Sequence, residues 1–216
     1  AMEYYQKCAL DSSIISLSEE EPQISDDALQ DLLQELRDIV EQIDYARAFL
    51  SLKGVPFLLG CVSESKAVPE VIRLACFGIL ATVCQNNPPV QKELLELGAI
   101  RIFSDVFFIE HDERVVDGCD TDGQLRARII QAISANVRSH DLAEAVFCQL
   151  EQAPRLIAFG LTGGSENAIT DPAPVQLRQR TLFFLKALLT SDSSTRERVE
   201  RFAGCIGYVI DARMLD

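Results

Sequence analysis

The stretch Leu125–His140, LRARIIQAISANVRSH, decides the fold because the chain carries it three times. A second copy runs from Ile72 to Asn87 (IRLACFGILATVCQNN), and a third from Leu177 to Asp192 (LRQRTLFFLKALLTSD). Each opens with an aliphatic residue and an arginine: Ile72-Arg73, Leu125-Arg126 and Leu177-Arg178. The arginines are 53 and 52 residues apart. A regular spacing of this size marks a solenoid of stacked helical units.

Counted from the arginine, position +3 is Cys76, Ile129 and Thr181, and +4 is Phe77, Ile130 and Leu182. Position +7 is Leu80, Ile133 and Leu185, and +11 is Cys84, Val137 and Leu189. These offsets share one helix face and predict an apolar stripe. A lone helix cannot bury such a stripe, whereas stacked neighbours can. Four further columns share the opposite face: +2 (Ala75, Arg128, Arg180), +5 (Gly78, Gln131, Phe183), +9 (Thr82, Ala135, Ala187) and +12 (Gln85, Arg138, Thr190). In a solenoid these line the inner surface, where partners are held. Asn136 interrupts the +10 column, which is otherwise Val83 and Leu188, and is expected at an edge that touches water or a neighbouring loop.

Shorter elements precede the long ones. YARAFLSLKGVPFLL (45–59) and VQKELLELGAIRIF (90–103) each read as helix, glycine turn (Gly54, Gly98), helix. Glycine suits the left-handed residue that ends a helix. Weaker copies are AVFCQLEQAPRLIAF (145–159), with Gln152 in the glycine's place, and VERFAGCIGYVI (199–210), with Gly204 there. Glu110–Gly123 and Thr162–Pro174 are rich in glycine, aspartate and proline and read as surface loops. No lysine follows Gly163-Gly164-Ser165 at the spacing of a phosphate loop. Residues 1–24 read as an irregular solvated arm, and Ser25 caps a helix whose stripe is Leu29, Leu32, Leu33, Leu36, Val40 and Ile43. The expected domain is all-α: a cap helix at 25–43, repeats at about 45–87, 89–140 and 142–192, and a partial repeat at 195–216.

Of the 216 residues 48% are hydrophobic, enough to build a core for one elongated domain. The net charge of −13 argues against a nucleic-acid binder, which needs a basic stripe for phosphates, and against an anionic membrane surface. No apolar run approaches the roughly 20 residues of a membrane span. The seven cysteines include no CxxC pair, and an odd count without a framework favours a reducing compartment. Cys76 and Cys84 read as small core residues. His111 and Cys119 alone are too few ligands for a structural zinc site. No nucleophile elbow, HExxH or cysteine–histidine cluster is present, so no catalytic residue, metal or cofactor is expected.

The repeats resemble those of armadillo proteins, right-handed α-solenoids of three-helix units. The ordered set is similar to the armadillo-type nucleotide exchange factors of Hsp70 chaperones, the Hsp70-binding protein and Fes-type family, with a Sil-type relative in the endoplasmic reticulum more distant. The carrying segments are Asp44–Leu59, Cys84-Gln85-Asn86-Asn87, Gln91–Ala99 (QKELLELGA), Leu125–Arg138 with Ala132-Ile133-Ser134 and Val137-Arg138, and Leu182–Leu189. The resemblance implies a co-chaperone that grips the ATPase domain of an Hsp70 with its concave face and promotes ADP release, without covalent chemistry. The inner columns make Gln85, Asn86, Arg128, Gln131, Arg138, Arg180 and Phe183 the expected partner-binding residues. A general armadillo scaffold for an extended peptide is the alternative, but such grooves present asparagines at +9, where this chain has Thr82, Ala135 and Ala187. A cytoplasmic monomer is expected. The lumen of the endoplasmic reticulum stays open, because Ala1-Met2 reads as an added leader that hides any native presequence.

Overall fold

The computed structural model describes residues 25–63, 67–117, 123–164 and 173–213, and all the regular structure in them is helical. The helices are α1 (Asp26–Val40), α2 (Ile43–Ser51), α3 (Gly54–Ser63), α4 (Glu70–Cys84), α5 (Pro88–Glu96), α6 (Ala99–Asp117), α7 (Gln124–Val137), α8 (Asp141–Gln149), α9 (Ala153–Thr162), α10 (Val175–Thr190), α11 (Arg196–Arg201) and α12 (Ala203–Arg213). The expected arm at 1–24 lies outside the described residues, as does Cys119.

Packing follows the repeat. Helices α1, α4, α7 and α10 lie side by side in that order, so the three copies of the quoted stretch are neighbours. Helices α3, α6, α9 and α12 form a second row, and α2, α5 and α8 a third. The apolar columns face into this stack: Cys76, Phe77, Leu80, Cys84, Ile129, Ile130, Ile133, Val137, Thr181 and Leu185 are all buried. Phenylalanines join the rows. Phe77 on α4 meets Phe103 on α6 edge to face at 5.4 Å, and Phe147 on α8 lies 4.9 Å from Phe184 on α10. Leu182 departs from its column and is 37% exposed. The reason is positional, since α10 packs against α7 and α9 and, among the described residues, no further helix follows it in the row.

The cap helix starts as expected, with Ser25 Oγ accepting from the Ala28 amide at 3.3 Å. It stops at Val40, so Ile43 opens α2 instead and is exposed, as is Leu32. Only Leu29, Leu33, Leu36 and Val40 of the expected stripe meet the core, a narrow face that suits a helix packed chiefly on α4 and α2.

The long helices end two or three residues earlier than their pattern suggests. Gln85 and Arg138 are extended C-caps, and Asn86 (φ 52°) and Ser139 (φ 59°) are left-handed. Asn87 and His140 then open the next helix, His140 accepting from the Ala143 amide through Nδ1 at 3.2 Å. Gly98 has the left-handed φ of 73° that its turn was expected to need. In the first copy, however, the left-handed residue is Lys53 (φ 63°), and Gly54 starts α3 against Phe49, whose ring would lie 2.1 Å from an added Cβ. There glycine serves a close approach, not a turn. Gln152 is right-handed and Gly204 lies inside α12, so the turn motif does not recur in the later copies.

The expected loop at 110–123 is also shortened, because α6 continues to Asp117. Glu110, on that added stretch, is buried and forms an ion pair with Arg73, the arginine that opens α4. Arg73 Nε also donates to the Val68 carbonyl at 3.2 Å. The charge of Arg73 is thus balanced inside the protein, and it locks α4 to α6. Removing one member of such a pair leaves a buried charge without a partner. Glu110→Ala is therefore expected to destabilise the fold by about 3–5 kcal/mol, read by urea denaturation.

Candidate functional site

The row α1–α4–α7–α10 leaves one face uncovered, and the expected partner-binding residues converge on it. Gln85, Gln131, Arg138, Arg180 and Phe183 line a single hollow of about 250 Å³. Arg128 stands beside it and donates from Nη1 to Gln131 Oε1 at 2.9 Å. Asn86 lies on the other side, in a hollow of about 350 Å³ shared with Gln85, Gln91 and Arg138. The columns +2, +5 and +12 thus meet in space, joined across three helices.

Phe183 is half exposed, an unfavourable place for a large ring, and the Arg138 guanidinium covers it at 4.7 Å from the centroid. The ring quadrupole attracts the cation, and the pair holds both side chains at the rim of the hollow. Arg128 and Arg180 are electrostatically strained. Burial pushes both guanidinium pKa values down, and neighbouring positive charge pushes further: Arg180 and Arg37 act on Arg128, and Arg37 acts on Arg180.

Arg37 is the residue that the repeat pattern misses. It sits on α1, which has no copy elsewhere, so no column identifies it. Its Nε donates to Thr82 Oγ1, in the +9 column, at 3.2 Å. A signal was nevertheless present in Gly78, which occupies the +5 column where the later copies have Gln131 and Phe183. An added Cβ there would lie 4.0 Å from Arg37, in ordinary contact, so the arginine side chain crosses the face where the later copies carry longer side chains.

Beneath the face, the end of α7 is fixed from outside the helix. A helix leaves its last four carbonyls without internal partners. Gln91 Nε2, on α5, reaches the carbonyls of Ala135 and Arg138 at 2.9 Å and of Asn136 at 3.3 Å. Asn136 Nδ2 returns a bond to the Gln91 carbonyl at 3.2 Å. Asn136 is fully buried, not the edge residue expected; a partner 45 residues away takes up its amide nitrogen, while its Oδ1 has no hydrogen-bond partner among the described residues. In the next unit Glu144 occupies the place of Gln91, four residues past the helix-opening residue. It accepts from Arg198 Nη1 at 2.8 Å and from Ser191 Oγ at 2.7 Å, and the same Arg198 nitrogen donates to the Leu188 carbonyl of α10 at 3.1 Å. The free helix end is the same in both units, but it is satisfied by an amide in one and by a buried ion pair in the other.

Fold and face together describe a helical protein that exposes a basic, polar and aromatic surface along one row of helices. No family model matches the chain. Over 119 residues it is 30% identical to Hsp70-binding protein 1 from Homo sapiens, Rattus norvegicus and Mus musculus, an alignment that covers 55% of this chain and 30% of each relative. The chain thus spans about 30% of the length of the curated relatives it matches.

Replacing Gln91 by alanine strands the carbonyls at the end of α7 and leaves Asn136 with a loosened partner. An unsatisfied buried polar group costs about 1–3 kcal/mol. Gln91→Ala is expected to lower stability by about that amount in chemical denaturation, and to speed hydrogen exchange where α7 meets α8.

Proposed function

We propose that this chain is an armadillo-type co-chaperone, a nucleotide exchange factor that binds the ATPase domain of an Hsp70 chaperone and promotes release of ADP. The row α1–α4–α7–α10 is its concave surface, and the units α2–α3–α4, α5–α6–α7 and α8–α9–α10 are three-helix repeats of a right-handed solenoid. It acts as a monomer in the cytoplasm. What carries the reading is the convergence of Gln85, Gln131, Arg138, Arg180 and Phe183 on one hollow, in a chain similar to proteins whose name states that they bind Hsp70.

The mechanism needs no chemistry from this protein. A ligand shifts an equilibrium by the difference in its affinity for two states. If the face fits the ATPase domain better when the nucleotide cleft is open, binding raises the open population and ADP leaves. Arginine and aromatic side chains suit this role, since they dominate interface energies and here are already held in place by the Arg138–Phe183 contact. The peptide-scaffold alternative loses ground at the +9 column, because Thr82 is occupied by Arg37.

The reading is tested by following release of labelled ADP from a purified Hsp70. The wild-type chain is expected to accelerate release; failure to do so would overturn the proposal. Arg128→Ala with Phe183→Ala is expected to lower the stimulated rate at limiting concentration by at least ~10-fold, with helicity unchanged. Full stimulation by that double variant would place the contact elsewhere.

A further inference from the structure

We propose that Arg37, Arg128 and Arg180 form one receptor for carboxylates, reaching from the cap helix to the third repeat, and that its occupant is an acidic patch on the protein partner. The inference rests on the chaperone-binding reading of this face and extends it to α1, which lies outside the repeats.

The first observation is geometric. The three arginines come from α1, α7 and α10, all in one row. Between α1 and α7 lies a hollow of about 290 Å³ with Arg37 and Arg128 on its walls. Helix α4 lines it with Ala75 and Gly78 as well as Val71 and Leu74, and α1 adds the carboxylate of Asp31, which forms no ion pair with either arginine. The Arg37 side chain reaches over α4 at Gly78, toward the hollow that Arg128 also lines. Besides burial, the charges of Arg180 and Arg37 disfavour the Arg128 cation, and that of Arg37 disfavours the Arg180 cation.

The second observation is what these arginines lack. The chain has 33 acidic and 20 basic residues, so carboxylates are plentiful. Other arginines use them: Arg73 with Glu110, Arg198 with Glu144, Arg101 with Asp105 and Arg196 with Glu200. Among the described residues, Arg37, Arg128 and Arg180 pair with none. Arg37 and Arg128 instead donate to neutral oxygens, Thr82 Oγ1 and Gln131 Oε1. A guanidinium carries five N–H donors, so most of theirs remain available.

A half-buried cationic cluster that forms no ion pair among the described residues, with Asp31 alone of them as a carboxylate lining its hollow, is costly in the free protein and favourable once further carboxylates arrive. The planar fork of arginine matches a carboxylate in two parallel hydrogen bonds. Carboxylates on a folded surface fit better than a nucleic acid, because the chain's net charge of −13 repels a polyanion along its length, whereas a short contact at a partly buried site is the kind that salt screens least.

The test uses Arg37→Gln/Arg128→Gln/Arg180→Gln, with Arg47→Gln on exposed α2 as a control, and two probes. Hexaglutamate peptide is expected to raise the melting temperature of the wild type and the control and to leave the triple variant unmoved. Without peptide the triple variant should melt no lower than wild type, since it has lost repulsion and no ion pair. With purified Hsp70 ATPase domain, the triple variant should bind at least ~10-fold more weakly and with a flatter salt dependence. Equal peptide shifts in wild type and triple variant would overturn the receptor, and so would a markedly lower melting point of the unliganded variant. A larger shift with single-stranded DNA than with hexaglutamate would also overturn it, in favour of phosphate. A peptide shift confined to proteins with the cluster, but no binding of the ATPase domain to wild type, would support the receptor and overturn the chaperone reading.

Discussion

The structure depends on how the free carbonyls at the ends of the long helices α7 and α10 are satisfied. A helix packed in the middle of a stack cannot leave that end to water, because its last turn lies under neighbours. In the unit α5–α6–α7 the answer is the reciprocal contact between Gln91 and Asn136. In α8–α9–α10 it is Arg198, held by Glu144. Both answers tie the end of a long helix to residues outside it, and in α5–α6–α7 Gln91 links the two ends of the unit directly. The face gains its geometry from this. Arg138, which covers Phe183, is one of the residues whose carbonyl accepts from Gln91 Nε2, so the position of a face residue is set from below.

Much of the architecture was legible because it obeys one periodicity. Columns spaced at +3, +4, +7 and +11 must share a helix face, and three copies of that face must stack, so the adjacency of α4, α7 and α10 follows from spacing alone. The same logic brought Gln85, Gln131, Arg138, Arg180 and Phe183 into one hollow. Periodicity says nothing about residues without copies. Arg37 lies on such a helix, and only the glycine opposite it hinted that something crosses the face there.

Polar burial was the other gap. Asn136 looked like an edge residue because its column is apolar, and its partner lies far away in the chain. Glu110 looked like loop because glycine and aspartate follow it, yet the need of Arg73 for a counter-charge keeps that turn of helix in place. The shift of the left-handed residue from Gly54 to Lys53 has the same origin: the demand of Phe49 for space decides where the glycine must be, and the turn takes the residue before it. In each case a tertiary contact outweighed the local reading.

The tie made by Gln91 also has a consequence for how the chain can vary in length. It closes a ring from the start of α5 to the end of α7, so whatever joins α6 to α7 hangs from a frame already shut elsewhere. Lengthening such a connection costs closure entropy only logarithmically, about 0.6 kcal/mol per doubling. The joint between α4 and α5 has no such slack, because Gln85, Asn86 and Asn87 form one defined turn that also borders the face. The stack therefore has two kinds of connection, one able to absorb inserted sequence and one whose backbone is fixed residue by residue, and grafted segments belong at the first.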